Sequence, residues 1–278
     1  MRDPESLGSG FRDVDASADP NAYVKYLGER GSVLGTQLNK LFLVSLLEVG
    51  PSHDVLDVGC GLGDDASIVG KVLTEGGSVI GIDRSRVMIG EARQRIQGSG
   101  LPIDFLVVDA HHLTFPDATF DRCLAVQVLE HLTDPQQAFA EMARVTRPGG
   151  RILVAEPDWG TLTVSSSDRQ VTRIILQSVS DRVIRNGWIG RQLAGMFVTS
   201  GFVDVSVVPS GGSKRNFAEA WHVYCLEAGV RDAVATGRIS EAEAERWTVE
   251  LEAEDRAGRF FASLDGFAVL GKKPERPV

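Results

Sequence analysis

Cysteine is scarce in this chain, with three among 278 residues, Cys60, Cys123 and Cys225. The number is odd and the spacing fits no metal-binding pattern, so neither a disulfide scaffold nor a metal requirement is expected. Long apolar runs are missing as well. The best candidate, residues 41–47, carries Ser45 and stops at Glu48, far short of the roughly 18 uninterrupted apolar residues of a membrane span. The opening Met-Arg-Asp-Pro-Glu lacks the apolar core of a secretory leader. No membrane insertion is therefore expected, and the expected compartment is a reducing cytoplasm. Positive charge is also in deficit, 29 Lys and Arg against 38 Asp and Glu, for a net charge of -9. Docking on nucleic acid or anionic lipid relies on clustered cations, so this balance argues against both partners.

What remains is an ordinary globular composition, 43% hydrophobic and 24% charged. The length allows one large domain with additions or two small ones, since a domain averages roughly 150 residues. Residues 1–20 are rich in Asp, Ser, Gly and Pro and read as a mobile tail. Residues 33–49 show helical spacing, ended by Gly50-Pro51. Strand-length apolar bursts then run at 54–59, 78–83, 103–110, 121–129 and 151–156, with helical stretches at 64–74, 85–97 and 135–145. Strand and helix alternating in this way predict an α/β fold with a doubly wound, largely parallel sheet. Two further strands are expected at 203–208 and 260–270, with helical cap segments at about 161–200 and 212–257. About 50 residues between those strands are too few for an independent core. A single domain over 21–278 with an embedded cap is the expectation, as monomer or homodimer.

The informative segment is Val55-Leu56-Asp57-Val58-Gly59-Cys60-Gly61-Leu62-Gly63-Asp64-Asp65. A strand running into a glycine turn that opens a helix is the nucleotide site of a doubly wound sheet. The dinucleotide fingerprint needs G-x-G-x-x-G/A with a pyrophosphate on the helix start. Here the spacing is G-x-G-x-G, followed by Asp64 and Asp65. Two carboxylates facing a pyrophosphate should cost several kcal/mol, in order of magnitude, so NAD and FAD are disfavoured. S-adenosylmethionine carries adenosine, no phosphate and a cationic end, and it escapes this repulsion. Asp57 can attract its ammonium, and glycine lets backbone N–H groups approach its carboxylate. Asp83 ends the next strand, 20 residues beyond Gly63, where a carboxylate can accept both ribose hydroxyls. Asp109-Ala110 ends the third strand, placed to read adenine.

These motifs, with VDAHHLTFPDATFD, VLEHLTDP and RVTRPGGRILVAEPDWG, resemble the class I S-adenosylmethionine-dependent methyltransferases. The small-molecule subgroup is nearest, that of the ubiquinone/menaquinone C-methyltransferases and natural-product tailoring enzymes. The resemblance is close over about 54–160 and looser elsewhere. It implies a Rossmann-like seven-stranded sheet of order 3-2-1-4-5-7-6 with the last strand antiparallel. It also implies that Asp57, Gly59 and Gly61 hold the methionine part, Asp83 the ribose, and Arg84 with Asp109-Ala110 the adenine. Gln127 would lie near the transferred methyl. Cys60 and Gly63 complete the cofactor turn, Cys60 as a small packing residue.

Other residues carry two readings each. Tyr23 and Tyr26, at helical spacing, either close over the sulfonium, which an aromatic face favours, or pack a terminal helix. Glu130-His131 after the fourth strand is either a substrate-facing base or a hydrogen-bonded pair ordering a turn; His222 is a further candidate base. Arg84 is either an adenine contact or a solvated helix start. Trp159, Trp188, Phe217 and Trp221 suit an apolar substrate pocket or cap packing. The segment Ala125-Val126-Gln127-Val128 lacks the Asn/Asp-Pro-Pro-Tyr/Phe pattern of amide methyltransferases, which favours a small-molecule acceptor, carbon or oxygen before nitrogen. The competing reading keeps the cofactor and the fold but assigns a cyclase or isomerase.

Overall fold

In the computed structural model, which describes residues 10–275, strand identity follows from apolar residues at successive positions. Asp54–Val58 (β1), Ser78–Asp83 (β2), Ile103–Val107 (β3), Phe120–Val126 (β4) and Thr146–Pro157 (β5) pair in parallel in the order β3-β2-β1-β4-β5. Alternate side chains point to opposite faces, and both faces are covered. Val55, Leu124 and Leu153 join one buried cluster, while Leu56, Cys123 and Ile152 join another.

Helices Leu34–Leu46 (α2), Asp64–Gly70 (α3) and Arg86–Ile96 (α4) contribute Leu43, Val44, Ala66, Val69, Ile89 and Ala92 to the first face. Pro135–Val145 (α5) covers the second with Phe139 and Met142. Its start matches the sequence: Asp134 accepts the Gln137 N–H at 2.9 Å, and Pro135 occupies the first turn, where a missing N–H costs nothing. Pro20–Ser32 (α1) precedes α2 and packs on it and on α4.

Ala262–Lys272 (β8) runs antiparallel against β5 and, on its other side, against Val203–Lys214 (β7). The register Val154↔Val269 on β5 and Val207↔Val269 on β7 places β8 between them. A two-residue strand, Thr163–Val164 (β6), pairs with the start of β8 beyond the end of β5. Apart from this addition, the order is the expected 3-2-1-4-5-7-6 with the last strand antiparallel. Among the described residues no helix is long and apolar enough to cross a membrane.

Three expectations need correction. The tail expected over 1–20 is not free along its described part. Val14 is buried, and Asp15 accepts the Arg86 N–H at 2.8 Å, capping α4; residues 1–9 lie outside the described residues. Second, Ile189–Thr199 (α7), expected in the cap, packs Leu193 and Phe197 on the sheet beside Phe139. Third, the cap has a buried core of its own. Arg169–Ser178 (α6), Phe217–Val223 (α8), Leu226–Ala235 (α9) and Glu241–Arg256 (α10) gather Ile175, Phe217, Leu226, Trp247 and Leu251 around Phe260. Each such side chain contributes about 1.5–3 kcal/mol on burial. The sequence segments are short, but the chain brings both sides together from either side of β7. α10 starts with a capping box in which Ser240 and Glu243 make both bonds.

Candidate active site

The carboxyl ends of β1 to β5 open into one cavity of about 930 Å³, lined by residues from the glycine turn, α1, α2, all five strand ends and the cap. This crevice is where a doubly wound sheet binds ligands, and its volume lies at the upper end of the small-molecule range.

The glycine turn is built tightly. Gly59 has φ 68°, and a Cβ there would overlap the Val128 side chain. Gly63 has φ 79°, and a Cβ there would overlap the Phe105 ring. The Gly61 N–H donates to Asp83 Oδ2 at 3.1 Å, and the Ser85 N–H donates to Asp83 Oδ1 at 2.9 Å. Asp83 therefore faces the cavity in a fixed orientation. Burial raises its pKa above the ordinary value, with those two N–H donors opposing.

Beneath the turn, Asp57 is 2% exposed, and its Oδ2 has no partner. Burial, then the neighbouring Asp65, pushes its carboxyl well above the usual range. Lys40, which the sequence reading missed, reaches in from α2. Its Nζ lies 2.6 Å from Asp65 Oδ2 and 3.9 Å from Asp64 Oδ2. Burial alone would lower the Lys40 pKa, but Asp65 and Asp64 outweigh it and hold the ammonium above its ordinary value. Arg95 sits 3.6 Å from Asp64. These cations offset much of the negative charge assigned to the turn, so the repulsion argued against a pyrophosphate is weaker than the sequence implied. The signal available was that Lys40 is the one charged residue of an otherwise uncharged helix.

At the third strand end, Asp109 Oδ1 accepts the His111 backbone N–H at 2.9 Å and meets His111 Nδ1 at 2.6 Å. The Asp134 N–H donates to His111 Nε2 at 3.2 Å. His111 is thus a bridge between two loops. Ala110 and Gln127 line the cavity. Gln127 has φ 57°, a conformation that non-glycine residues hold only when their surroundings enforce it. Arg84 is on the wall, but its guanidinium donates to Arg12 O at 2.7 Å, so it clasps the N-terminal segment.

Glu130, His131 and Trp159 are brought together. The Trp159 indole N–H donates to Glu130 Oε2 at 2.6 Å, and His131 Nε2 lies 3.6 Å from Glu130 Oε1. Burial lowers the His131 pKa below its ordinary value, with Glu130 opposing. His222 lines the cavity from α8, and Tyr26 from α1. Several expected residues lie elsewhere. Tyr23 is buried against Phe11, centroids 5.1 Å apart, off the cavity wall. Phe217, in the cap core, and Trp221, packed against it, meet as tilted rings with centroids 5.2 Å apart. Trp188 is 45% exposed, with Arg191 over its ring. These are apolar groups at helical spacing, and sequence alone does not separate cap core from pocket wall. Cys60 lines the cavity, but burial, then Asp57, pushes its thiol well above the usual range, which suits packing and not a nucleophile.

Apolar walls, an orphaned buried carboxylate oxygen and a cavity-facing carboxylate at the second strand end fit an adenosyl ligand with a cationic end. A model of the methyltransferase domain family matches residues 56–154, about a third of the chain. Over 272 residues, 98% of this chain and 77% of the other, the sequence is 35% identical to an uncharacterised 37.1 kDa protein in transposon Tn4556 of Streptomyces fradiae. It is 38% identical over 154 residues, 55% of this chain and 51% of the relative, to methyltransferase GfsG of Streptomyces halstedii. The chain carries a methyltransferase domain over residues 56–154. Its fold is also that of phosphoethanolamine N-methyltransferase 2 of Haemonchus contortus, solved with S-adenosylhomocysteine. That likeness has a TM-score of 0.61 at 19% identity, covering 95% of this chain and 61% of the other. The cofactor of such methyltransferases is S-adenosylmethionine; of the two carboxylates expected to meet it, Asp83 lines the cavity and Asp57 lies buried behind the wall.

Proposed function

We propose that this chain transfers a methyl group from S-adenosylmethionine to a small, partly apolar acceptor, at carbon or oxygen in preference to nitrogen, in specialised or quinone-type metabolism. The observation that carries this reading is the single cavity that joins the glycine turn and Asp83 to the Glu130–His131–Trp159 group under the cap. When bound, the cofactor supplies an activated methyl on a sulfonium. Asp57 and the turn at Gly59–Cys60–Gly61 would hold its methionine part, Asp83 its ribose, and Asp109-Ala110 its adenine.

The chain's own contribution is to align the acceptor and exclude water, which can supply roughly 7–11 kcal/mol by proximity. An acceptor O–H or acidic C–H must also lose a proton. His131 is kept neutral by burial and stands on the wall, so it can take that proton, with Glu130 beside the resulting imidazolium. The cap side, with Trp159, Val223 and Leu264, would receive the apolar body of the acceptor. Incubation with methyl-labelled cofactor and a panel of phenols, enols and secondary-metabolite scaffolds tests the proposal. Label should enter an O- or C-methyl product. A rearranged or cyclised product without label would assign the cyclase or isomerase reading instead.

A further inference from the structure

The segment Gln127–Leu132 supplies the acceptor side of the cavity, and its backbone is held by side chains of other elements, Glu156, itself on the cavity wall, and Asn186. Glu156, 2% exposed at the end of β5, accepts the Val128 and Leu129 N–H groups on Oε1 at 2.8 and 2.7 Å. Its Oε2 takes the Glu130 N–H at 3.4 Å. On the carbonyl side, Asn186 Nδ2 donates to Leu129 O and Leu132 O, each at 2.8 Å. The Gln127 N–H donates to Ala155 O at 2.8 Å, one residue before Glu156. The residue in a strained backbone conformation, Gln127, is thus followed immediately by three N–H groups gathered on one carboxylate.

Val128 is also the side chain against which Gly59 packs, with no room for a Cβ. One carboxylate therefore fixes Val128, and Val128 fixes the first glycine of the cofactor turn. Nothing in the expected roles of the site residues uses Glu156. A glutamate buried among apolar strands without a ligating task is costly unless its bonds position something.

We propose that Glu156 is a positioning residue that couples the acceptor-side loop to the cofactor turn, acting through the Val128 backbone and side chain. The proposal rests on the methyltransferase reading of the cavity. Glu156 touches no reacting atom in this role; it orders Val128 so that the turn at Gly59 and the His131 side of the cavity keep one relative placement. The groups facing it are Glu130, which raises its pKa after burial does, and the three N–H donors that oppose both.

The test uses the full chain and S-adenosylhomocysteine as probe, by calorimetry. Glu156→Ala leaves N–H groups unpaired and should weaken binding by roughly tenfold to a hundredfold. Glu156→Gln keeps an acceptor oxygen for Val128 and Leu129 and should bind within about threefold of the parent chain. In a Val128→Ala background, the cost of Glu156→Ala should shrink at least threefold, because the two act through one contact. Met142→Ala, a buried α5 residue away from the cavity, should lose stability and keep full affinity. If Glu156→Ala does not fold, Glu156→Asp takes its place, with exchange rates of the Val128–Glu130 amides as the second readout. Faster exchange there with weaker binding supports the role. Unchanged affinity in a folded Glu156→Ala or Glu156→Asp chain, or additive costs with Val128→Ala, overturns it. A parent chain that binds no S-adenosylhomocysteine overturns the cofactor reading, and the coupling falls with it.

Discussion

Removing the Lys40 ammonium should destabilise the fold, and the loss should grow with pH. Lys40 Nζ sits 2.6 Å from Asp65 Oδ2, with side chains 21% and 10% exposed. Asp65 Oδ1 and Asp57 Oδ2 are buried with no hydrogen-bond partner. In Lys40→Met the methylene packing is largely kept, while a buried carboxylate loses its cation. Breaking a buried pair costs about 3–5 kcal/mol; the partial exposure of Lys40 reduces this to about 2–4 kcal/mol. The pH dependence follows from Asp57, whose carboxyl is pushed well above its ordinary 3.8 by burial and then by Asp65, with Lys40 opposing. A carboxyl raised on folding contributes stability that is full below its unfolded value and is lost as pH rises through its folded value. Without Lys40 that folded value climbs further. The deficit relative to the parent should therefore be smaller at about pH 4 than at about pH 8. Urea unfolding of both chains at the two pH values measures it. A deficit below about 0.5 kcal/mol at the higher pH, or equal deficits at both, would refute the charge balance drawn for this turn.

Two further outcomes are expected. Gly63→Ala forces a side chain into the left-handed region, at about 1–2 kcal/mol, and against the fully buried Phe105 ring, at about 1–3 kcal/mol; urea unfolding should show a combined loss of about 2–5 kcal/mol. His131 is disfavoured as a cation by burial, so its contribution to stability is full above the ordinary value of 6.5 and is lost as pH falls through the lowered one. His131→Phe should therefore flatten the fall of unfolding free energy between 6.5 and that lowered value, measured by urea unfolding across the range.

The strand positions and the glycine turn were legible because both are written locally, whereas the strand order came from the family resemblance. Apolar residues at successive positions mark strands covered on both faces, and the run from Asp57 to Asp65 is one continuous segment. Asp83 and Asp109 stood out for a related reason, since Asp83 ends β2 and Asp109 follows β3 by two residues. What stayed hidden depends on distant partners. Lys40 meets Asp65 across 25 positions, Trp159 meets Glu130 across 29, and Asn186 meets Leu129 across 57. The aromatic residues of the cap were misplaced because Phe217 and Trp221 have the same spacing whether they line a pocket or fill a core. The segment 10–19 looked mobile because its composition is polar, yet Asp15 finds three partners at the start of α4, Ser85, Arg86 and Val87.

Calorimetric titration of the parent chain and of Asp83→Ala with S-adenosylhomocysteine, with NAD as comparison, addresses the central claim most directly. The account predicts saturable binding of S-adenosylhomocysteine by the parent, at least tenfold weaker binding by Asp83→Ala because two ribose hydroxyls lose their acceptor, and no comparable NAD binding. Tight NAD binding without S-adenosylhomocysteine binding, or equal affinity in Asp83→Ala, would contradict it.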